Sequence, residues 1–116
     1  MKFDDQVIKM AEILDSRKGE DIVMIDVRES TIIADYFIVC SGRSTTHVKT
    51  LADELEGQLD KLGIHKNRAE GYQEGRWIVL DYGNIIVHVF HHDEREFYDI
   101  ERLWETADNS EKYEAQ

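Results

Sequence analysis

Two apolar runs on either side of a glycine-containing turn restrict the fold of this chain more than any other feature. The runs are WIVLD at residues 77–81 and IIVHVF at residues 85–90, and Tyr82-Gly83-Asn84 separates them. Apolar and aromatic residues around such a turn predict an antiparallel β-hairpin. Because both strands carry more apolar side chains than one buried face requires, the second face also needs a covering element or a partner.

The two faces of this hairpin differ in composition, since successive side chains of a strand point to opposite sides. One face is uniformly apolar, and we expect it to form the core beneath helices; it carries Ile78, Leu80, Tyr82, Ile85, Val87 and Val89. The other, which we call the mixed face, carries Trp77, Val79, Asp81, Ile86, His88 and Phe90. Aromatic anchors beside polar groups are typical of protein interfaces. The alternative is that a C-terminal helix covers the mixed face, and the sequence leaves both interpretations open.

The remaining patterns predict an α/β fold. Apolar residues at helical spacing indicate helices at about residues 4–17, 44–62 and 94–104. Apolar or β-branched runs indicate strands at residues 21–27 and 36–40, and a short strand near residues 69–72. The order α-β-β-α-β-β-β-α predicts a mixed sheet of about five strands with helices packed on it. We expect residues 1–105 to form a single domain and residues 106–116 to be a frayed polar tail.

Composition restricts the function of the chain. It has 116 residues and a net charge of −11, and its 14 basic residues are scattered. A phosphate backbone requires clustered basic residues, so direct nucleic-acid binding is not expected. The charge favours a basic protein partner by electrostatic steering, unless it serves only solubility. One cysteine in an apolar run, no signal peptide and no membrane span indicate a soluble cytoplasmic protein.

No residue pattern forms a convincing catalytic or metal site. The turn Ser41–Ser44 follows a strand and opens a helix, as anion-binding turns do. A nucleotidyltransferase would also need paired carboxylates on a neighbouring strand, and Asp81 stands alone there. We therefore interpret the turn as a helix start capped by Ser44, with a nucleotide-binding or nucleotidyltransferase-like enzyme at Ser41–Ser44 as the alternative. The spacing of His88, His91, His92 and Asp93 matches no strong zinc pattern. We predict no catalytic residue, metal or cofactor.

Four longer motifs resemble a known family. They are DIVMIDV, ADYFIVCSGRSTTHV, EGYQEGRWIVLDYGNIIVHVF and EREFYDIERLW. In combination they are similar to the ribosomal silencing factor family, also called RsfS or Iojap, over residues 8–104. The resemblance implies a nucleotidyltransferase-like fold without metal-binding carboxylates. It also implies binding to protein number fourteen of the large ribosomal subunit, which would sterically block subunit joining and lower translation.

The mixed face and the resemblance together predict a set of contact residues. They are Trp77, Val79, His88 and Phe90, with Tyr98 from the closing helix, and Trp77 is the expected anchor. At the rim, Asp81, Asp93 and Glu94 are expected to face basic groups. A homodimer that covers the apolar hairpin in the free state is a further hypothesis.

Overall fold

The chain forms a six-stranded mixed sheet with helices on both faces. The computed structural model describes residues 3–115. The helices are α1 Asp5–Ser16, α2 Thr45–Lys61, α3 His92–Tyr98 and α4 Ile100–Trp104. The strands are β1 Glu20–Asp26, β2 Tyr36–Gly42, β3 Arg68–Glu70, β4 Trp77–Asp81, β5 Ile85–His91 and β6 Ser110–Lys112. The sheet order is β3-β4-β5-β2-β1-β6; β2 and β5 run parallel, and every other neighbouring pair is antiparallel. The predicted α/β class is confirmed, with six strands rather than about five.

Helices α1 and α2 bury one face of the sheet. The apolar stripe of α2 packs its Leu51, Leu55 and Leu59 side chains fully out of solvent. The helix begins as predicted, because the Ser44 Oγ accepts a hydrogen bond from the His47 backbone N–H at 3.0 Å. The uniformly apolar hairpin face lies in this core, as expected. No helix within residues 3–115 has the length and apolarity needed to cross a membrane.

A second, smaller core lies on the mixed side of the sheet. Phe37 and Val39 of β2 pack there with Phe90 of β5, and Ile100 of α4 covers them. Trp104 contributes an edge-on contact to Phe37, with ring centroids 5.1 Å apart. The C-terminal helices therefore cover part of the mixed face. Of the two interpretations that the sequence left open, each holds in part: some of this face is core and some is surface.

The predicted C-terminal helix is interrupted in the middle. Asp99 has φ 46°, in the left-handed region, and this residue separates α3 from α4. Asp tolerates this conformation better than most residues, and the backbone N–H of Asp99 donates to the Arg95 carbonyl at 2.8 Å. Because α3 ends there, Phe97 does not share one helical stripe with Ile100 and Trp104, as a continuous helix would require, and it is 79% exposed.

The polar C-terminal segment contains an ordered strand. In β6, Ser110 pairs with Ile25 and Lys112 pairs with Val23 on the edge of β1. The Asn109 Nδ2 donates to the Asp26 carbonyl at 3.0 Å. The expectation of a frayed tail is thus wrong for residues 110–112. Backbone groups on an open sheet edge can pair with any extended segment, so β6 needed no apolar pattern.

Candidate partner-binding surface

Five apolar side chains form a continuous surface across β4, α3 and α4. We call this group the docking surface; it consists of Trp77, Val79, Phe97, Tyr98 and Leu103. The rings of Trp77 and Tyr98 lie 4.9 Å apart, and those of Tyr98 and Phe97 lie 5.0 Å apart at 89°. Phe97, Tyr98 and Leu103 line one open cavity of about 510 Å³. Val79 follows on the same side of β4, so the apolar surface continues from the sheet onto both short helices.

The exposure of this surface is unusual for large apolar side chains. Phe97 is 79% exposed, Leu103 is 76% exposed and Tyr98 is 47% exposed, while Trp77 and Val79 are half-buried. Single exposed apolar residues are common on proteins, but a contiguous group marks a candidate interaction site. The docking surface is therefore the strongest candidate for a functional site among the described residues.

The structure separates the predicted contact residues into two groups. Trp77, Val79 and Tyr98 reach the surface, and their role in binding stays a prediction. Phe90 is fully buried and His88 is 9% exposed, so neither presents a surface to a partner in this conformation. The expectation that these two side chains contact a partner directly is wrong. Its physical reason is that the Trp77 ring stacks over Phe90 at 4.8 Å and that α4 closes the same core.

Sequence reasoning missed Phe97 and Leu103. Both belong to adjacent apolar pairs, Phe97-Tyr98 and Leu103-Trp104. Neighbouring residues of a helix are about 100° apart, so a narrow helical stripe cannot bury both members of such a pair. These pairs were the available signal for an exposed apolar patch. In the structure both members of the first pair are exposed, whereas in the second pair Leu103 is exposed and Trp104 packs on the smaller core.

Acidic side chains border the docking surface. The Asp93 side chain is 79% exposed, and Glu96 and Asp99 are also exposed and line the cavity with Arg102. Two of the expected rim carboxylates have partners within the chain. Glu94 pairs with Arg76 at 2.6 Å, and Asp81 accepts the Gly83 backbone N–H at 2.8 Å inside the hairpin turn. Asp93 is therefore the most accessible of the expected rim groups.

Beneath the docking surface, His88 lies among aromatic rings. Its Nδ1 lies 3.1 Å from the Trp77 Nε1 donor, and its ring meets Phe37 edge-on at 5.2 Å. Burial lowers the pKa of His88 from 6.5 to about 4. The imidazole is therefore neutral at physiological pH, and its unprotonated nitrogen can accept the indole hydrogen.

A second, polar cavity of about 480 Å³ lies beyond the carboxyl ends of the parallel strands β2 and β5, and it shares Glu96 and Asp99 with the first. Its lining is acidic and comprises Asp21, Ser41, His92, Arg95, Glu96, Asp99 and Glu101. The Arg95 Nη1 donates to the Ser41 Oγ at 2.8 Å, and the same guanidinium holds Glu101 through bonds of 3.0 and 2.9 Å. No group of three or more His, Cys, Asp or Glu residues within residues 3–115 could hold a metal ion.

The only cysteine of the sequence is not a candidate nucleophile. Cys40 is fully buried in β2. Burial raises the pKa of its thiol to about 12. Since the thiolate is the reactive form, this side chain serves packing rather than chemistry.

Comparisons with known proteins agree on one family. A ribosomal silencing factor from Bacillus subtilis is 41% identical over 97 residues, covering 84% of this chain and 82% of that protein. One from Haemophilus influenzae is 42% identical over 95 residues, covering 82% and 93%. The crystal structure of a Chromobacterium violaceum protein superposes with a TM-score of 0.82 at 34% identity and covers 92% of each chain. The family model described as ribosomal silencing factor during starvation matches residues 1–116. The chain therefore belongs to the RsfS family of ribosomal silencing factors.

Proposed function

We propose that this protein binds the large ribosomal subunit at its protein number fourteen and blocks the joining of the subunits, which represses translation. Membership of the silencing-factor family supports an action on the ribosome. The specific partner is the one that the sequence resemblance implies. Subunit joining takes place on the face that this partner occupies, so a bound protein acts by steric exclusion and needs no chemistry of its own. The proposal implies a cytoplasmic protein.

The continuous docking surface is the observation that carries this proposal. Its exposed aromatic and aliphatic side chains would bury apolar area on binding, which is the main favourable term in association. The acidic border suits a basic partner, as ribosomal proteins commonly are. Oppositely charged surfaces accelerate encounter and suppress wrong partners. The net charge of −11 acts in the same direction and disfavours direct contact with ribosomal RNA.

Replacing Phe97 with alanine should weaken binding to isolated large subunits by about tenfold or more. Phe97 is 79% exposed, so its truncation removes apolar contact with a partner while costing the free chain little stability. Cosedimentation with purified large subunits over a range of protein concentrations measures the change. A subunit-joining assay at the same concentrations should show a parallel loss of inhibition.

Leu62→Ala is the matched control. Leu62 is 58% exposed but follows α2, on the opposite side of the sheet from the docking surface. Its truncation should leave binding unchanged. If the wild type and Phe97→Ala bind equally, the docking surface is not the binding site. If the wild type does not bind large subunits, the proposed partner is wrong.

The uniformly apolar face of the hairpin is buried in the main core, so a homodimer cannot form on that face. A second copy of the chain is instead a candidate occupant of the docking surface in the free state. The apolar side chains that remain exposed there favour this hypothesis. Light scattering at increasing concentration should then report a dimer, and Phe97→Ala should shift it towards the monomer. A monomer at all concentrations would exclude this arrangement.

The enzyme alternative has weaker support. The Ser41 side chain is 3% exposed and already accepts a hydrogen bond from Arg95. The cavity that Ser41 lines carries four carboxylates, those of Asp21, Glu96, Asp99 and Glu101, which would repel a triphosphate there. Ser44 lines a different cavity, and its Oγ is already occupied by the hydrogen bond that caps α2. We therefore propose a binding protein without catalytic activity at the Ser41–Ser44 turn.

A further inference from the structure

The contact between Trp77 and His88 determines which tautomer the imidazole adopts. An indole Nε1–H can only donate, and it lies 3.1 Å from the His88 Nδ1. The Nδ1 must therefore be an unprotonated acceptor. In a neutral imidazole the remaining hydrogen is then on Nε2.

This tautomer leaves a donor without a partner. The Nε2 atom of His88 is buried and has no hydrogen-bond partner among the described residues. Its neighbours include the rings of Phe37 and Phe90, which lie 5.2 and 6.3 Å from the imidazole and offer no conventional acceptor. An aliphatic side chain of similar size would avoid this desolvation penalty. The acceptor at Nδ1 is the property of histidine that such a side chain would lack.

The Trp77 ring is held from two directions. It stacks on Phe90 with centroids 4.8 Å apart and an angle of 23°, and its nitrogen is directed at His88. Stacking alone would permit the indole to turn within the plane of the contact. The hydrogen bond removes that freedom, because only one orientation of the ring presents Nε1 to the imidazole. The half-buried anchor of the docking surface thus has one preset orientation.

We propose that His88 is a positioning residue: its Nδ1 fixes the orientation of the Trp77 indole, so the partner meets a preorganised ring. This inference rests on the proposed function for the identity of the partner and replaces the expected direct contact of His88. A preorganised side chain loses less conformational entropy when the complex forms, which strengthens binding without an added contact.

Nuclear magnetic resonance of the two indole N–H groups tests the positioning in the free protein. Trp77→Phe identifies the resonance of Trp77 by its disappearance. In His88→Leu, this resonance should move upfield, and its hydrogen should exchange faster with water. In His88→Asn, the side-chain oxygen takes the place of Nδ1, so both properties should stay close to those of the wild type.

Binding to large subunits supplies the second readout. His88→Leu should weaken binding by about tenfold, and His88→Asn by no more than about threefold. In the Trp77→Phe background there is no indole N–H at position 77 to orient. The double variants Trp77→Phe/His88→Leu and Trp77→Phe/His88→Asn should therefore bind large subunits equally well. Circular dichroism verifies that each variant is folded.

Each contrary result has a distinct meaning. An unchanged Trp77 resonance and exchange rate in His88→Leu would overturn the proposal. The proposal would also be overturned if His88→Leu weakened binding as much in the Trp77→Phe background as in the wild type. His88 would then support the fold in general. If the wild type fails to bind large subunits, the proposed function falls, while the indole measurements still decide whether His88 fixes the ring.

Discussion

Replacing Arg95 with methionine should lower the free energy of unfolding by about 2–3 kcal/mol. The guanidinium joins three groups: it makes two bonds to the Glu101 carboxylate, donates to the Ser41 Oγ and lies 3.4 Å from the Glu20 carbonyl. The side chains of Arg95 and Glu101 are only 12% and 18% exposed. Removal of the cation leaves a mostly buried carboxylate without its partner. The remaining exposure of Glu101 keeps the expected loss below that of a fully buried pair.

Urea denaturation measures this loss, and Arg17→Met provides the matched control. Arg17 pairs with Glu54 at a similar distance of 3.0 Å, but its side chain is 55% exposed. A solvated pair of this kind contributes no more than about 1 kcal/mol. The double variant Arg95→Met/Glu101→Gln should recover part of the stability, because it removes the orphaned charge. Equal effects of Arg95→Met and Arg17→Met would contradict the role assigned to the buried pair.

The same substitution should loosen the docking surface. Arg95 lies on α3 and Glu101 on α4, so their ion pair bridges the break at Asp99. Phe97, Tyr98 and Leu103 lie on these two short helices. Hydrogen exchange of residues 92–104 in Arg95→Met should therefore increase more than that of α2. Unchanged exchange in this segment would show that the ion pair does not hold the two helices.

Acidification from pH 6.5 to pH 4 should reduce the free energy of unfolding by about 3 kcal/mol through His88 alone. Burial among Phe37, Trp77 and Phe90 lowers its pKa from 6.5 to about 4. Above pH 6.5 neither the folded nor the unfolded chain protonates this group. Between pH 6.5 and 4 the unfolded chain binds a proton that the folded chain excludes, so stability falls with pH. Below pH 4 His88 is protonated in both the folded and the unfolded chain, so it no longer contributes to the change of the free energy of unfolding with pH.

Stability curves of the wild type and His88→Leu between pH 7 and pH 4 isolate this effect. The variant lacks the titrating group, so its stability should decline less over the interval whatever its value at pH 7. The Asp26 carboxylate beside Arg28 has a pKa below its ordinary value of 3.8, so its contribution is lost in a more acidic range. Parallel curves for the wild type and His88→Leu would refute the assignment.

Much of the fold could be predicted because its determinants are local. The apolar runs Trp77–Asp81 and Ile85–Phe90 around a glycine-containing turn predicted the hairpin, and the stripe from Val48 to Leu62 predicted α2. The helix cap at Ser44 followed from residue type and position alone. Long runs with one clear period specify an element because the buried face must recur with that period. The sixth strand could not be predicted in this way, since residues 110–112 are held by the β1 backbone.

The candidate site was predicted only in part, for a different reason. Trp77, Val79 and Tyr98 were selected by residue type and strand face, and they do reach the surface. Phe90 is also aromatic and lies on the same face of the hairpin, yet it is fully buried. Position within the sheet separates these residues, because Phe90 lies on β5 beside the central β2 and α4 covers that region.

Local patterns were therefore sufficient to predict the fold class, the hairpin, the longest helix and a resemblance to ribosomal silencing factors. Only the tertiary structure decided which part of the mixed hairpin face is core, where the last helix breaks and which aromatic residues remain exposed. These outcomes depend on contacts between residues distant in sequence, such as Arg95 with Ser41 and Trp104 with Phe37. Periodicity reports that a face is apolar, but burial depends on what packs against it.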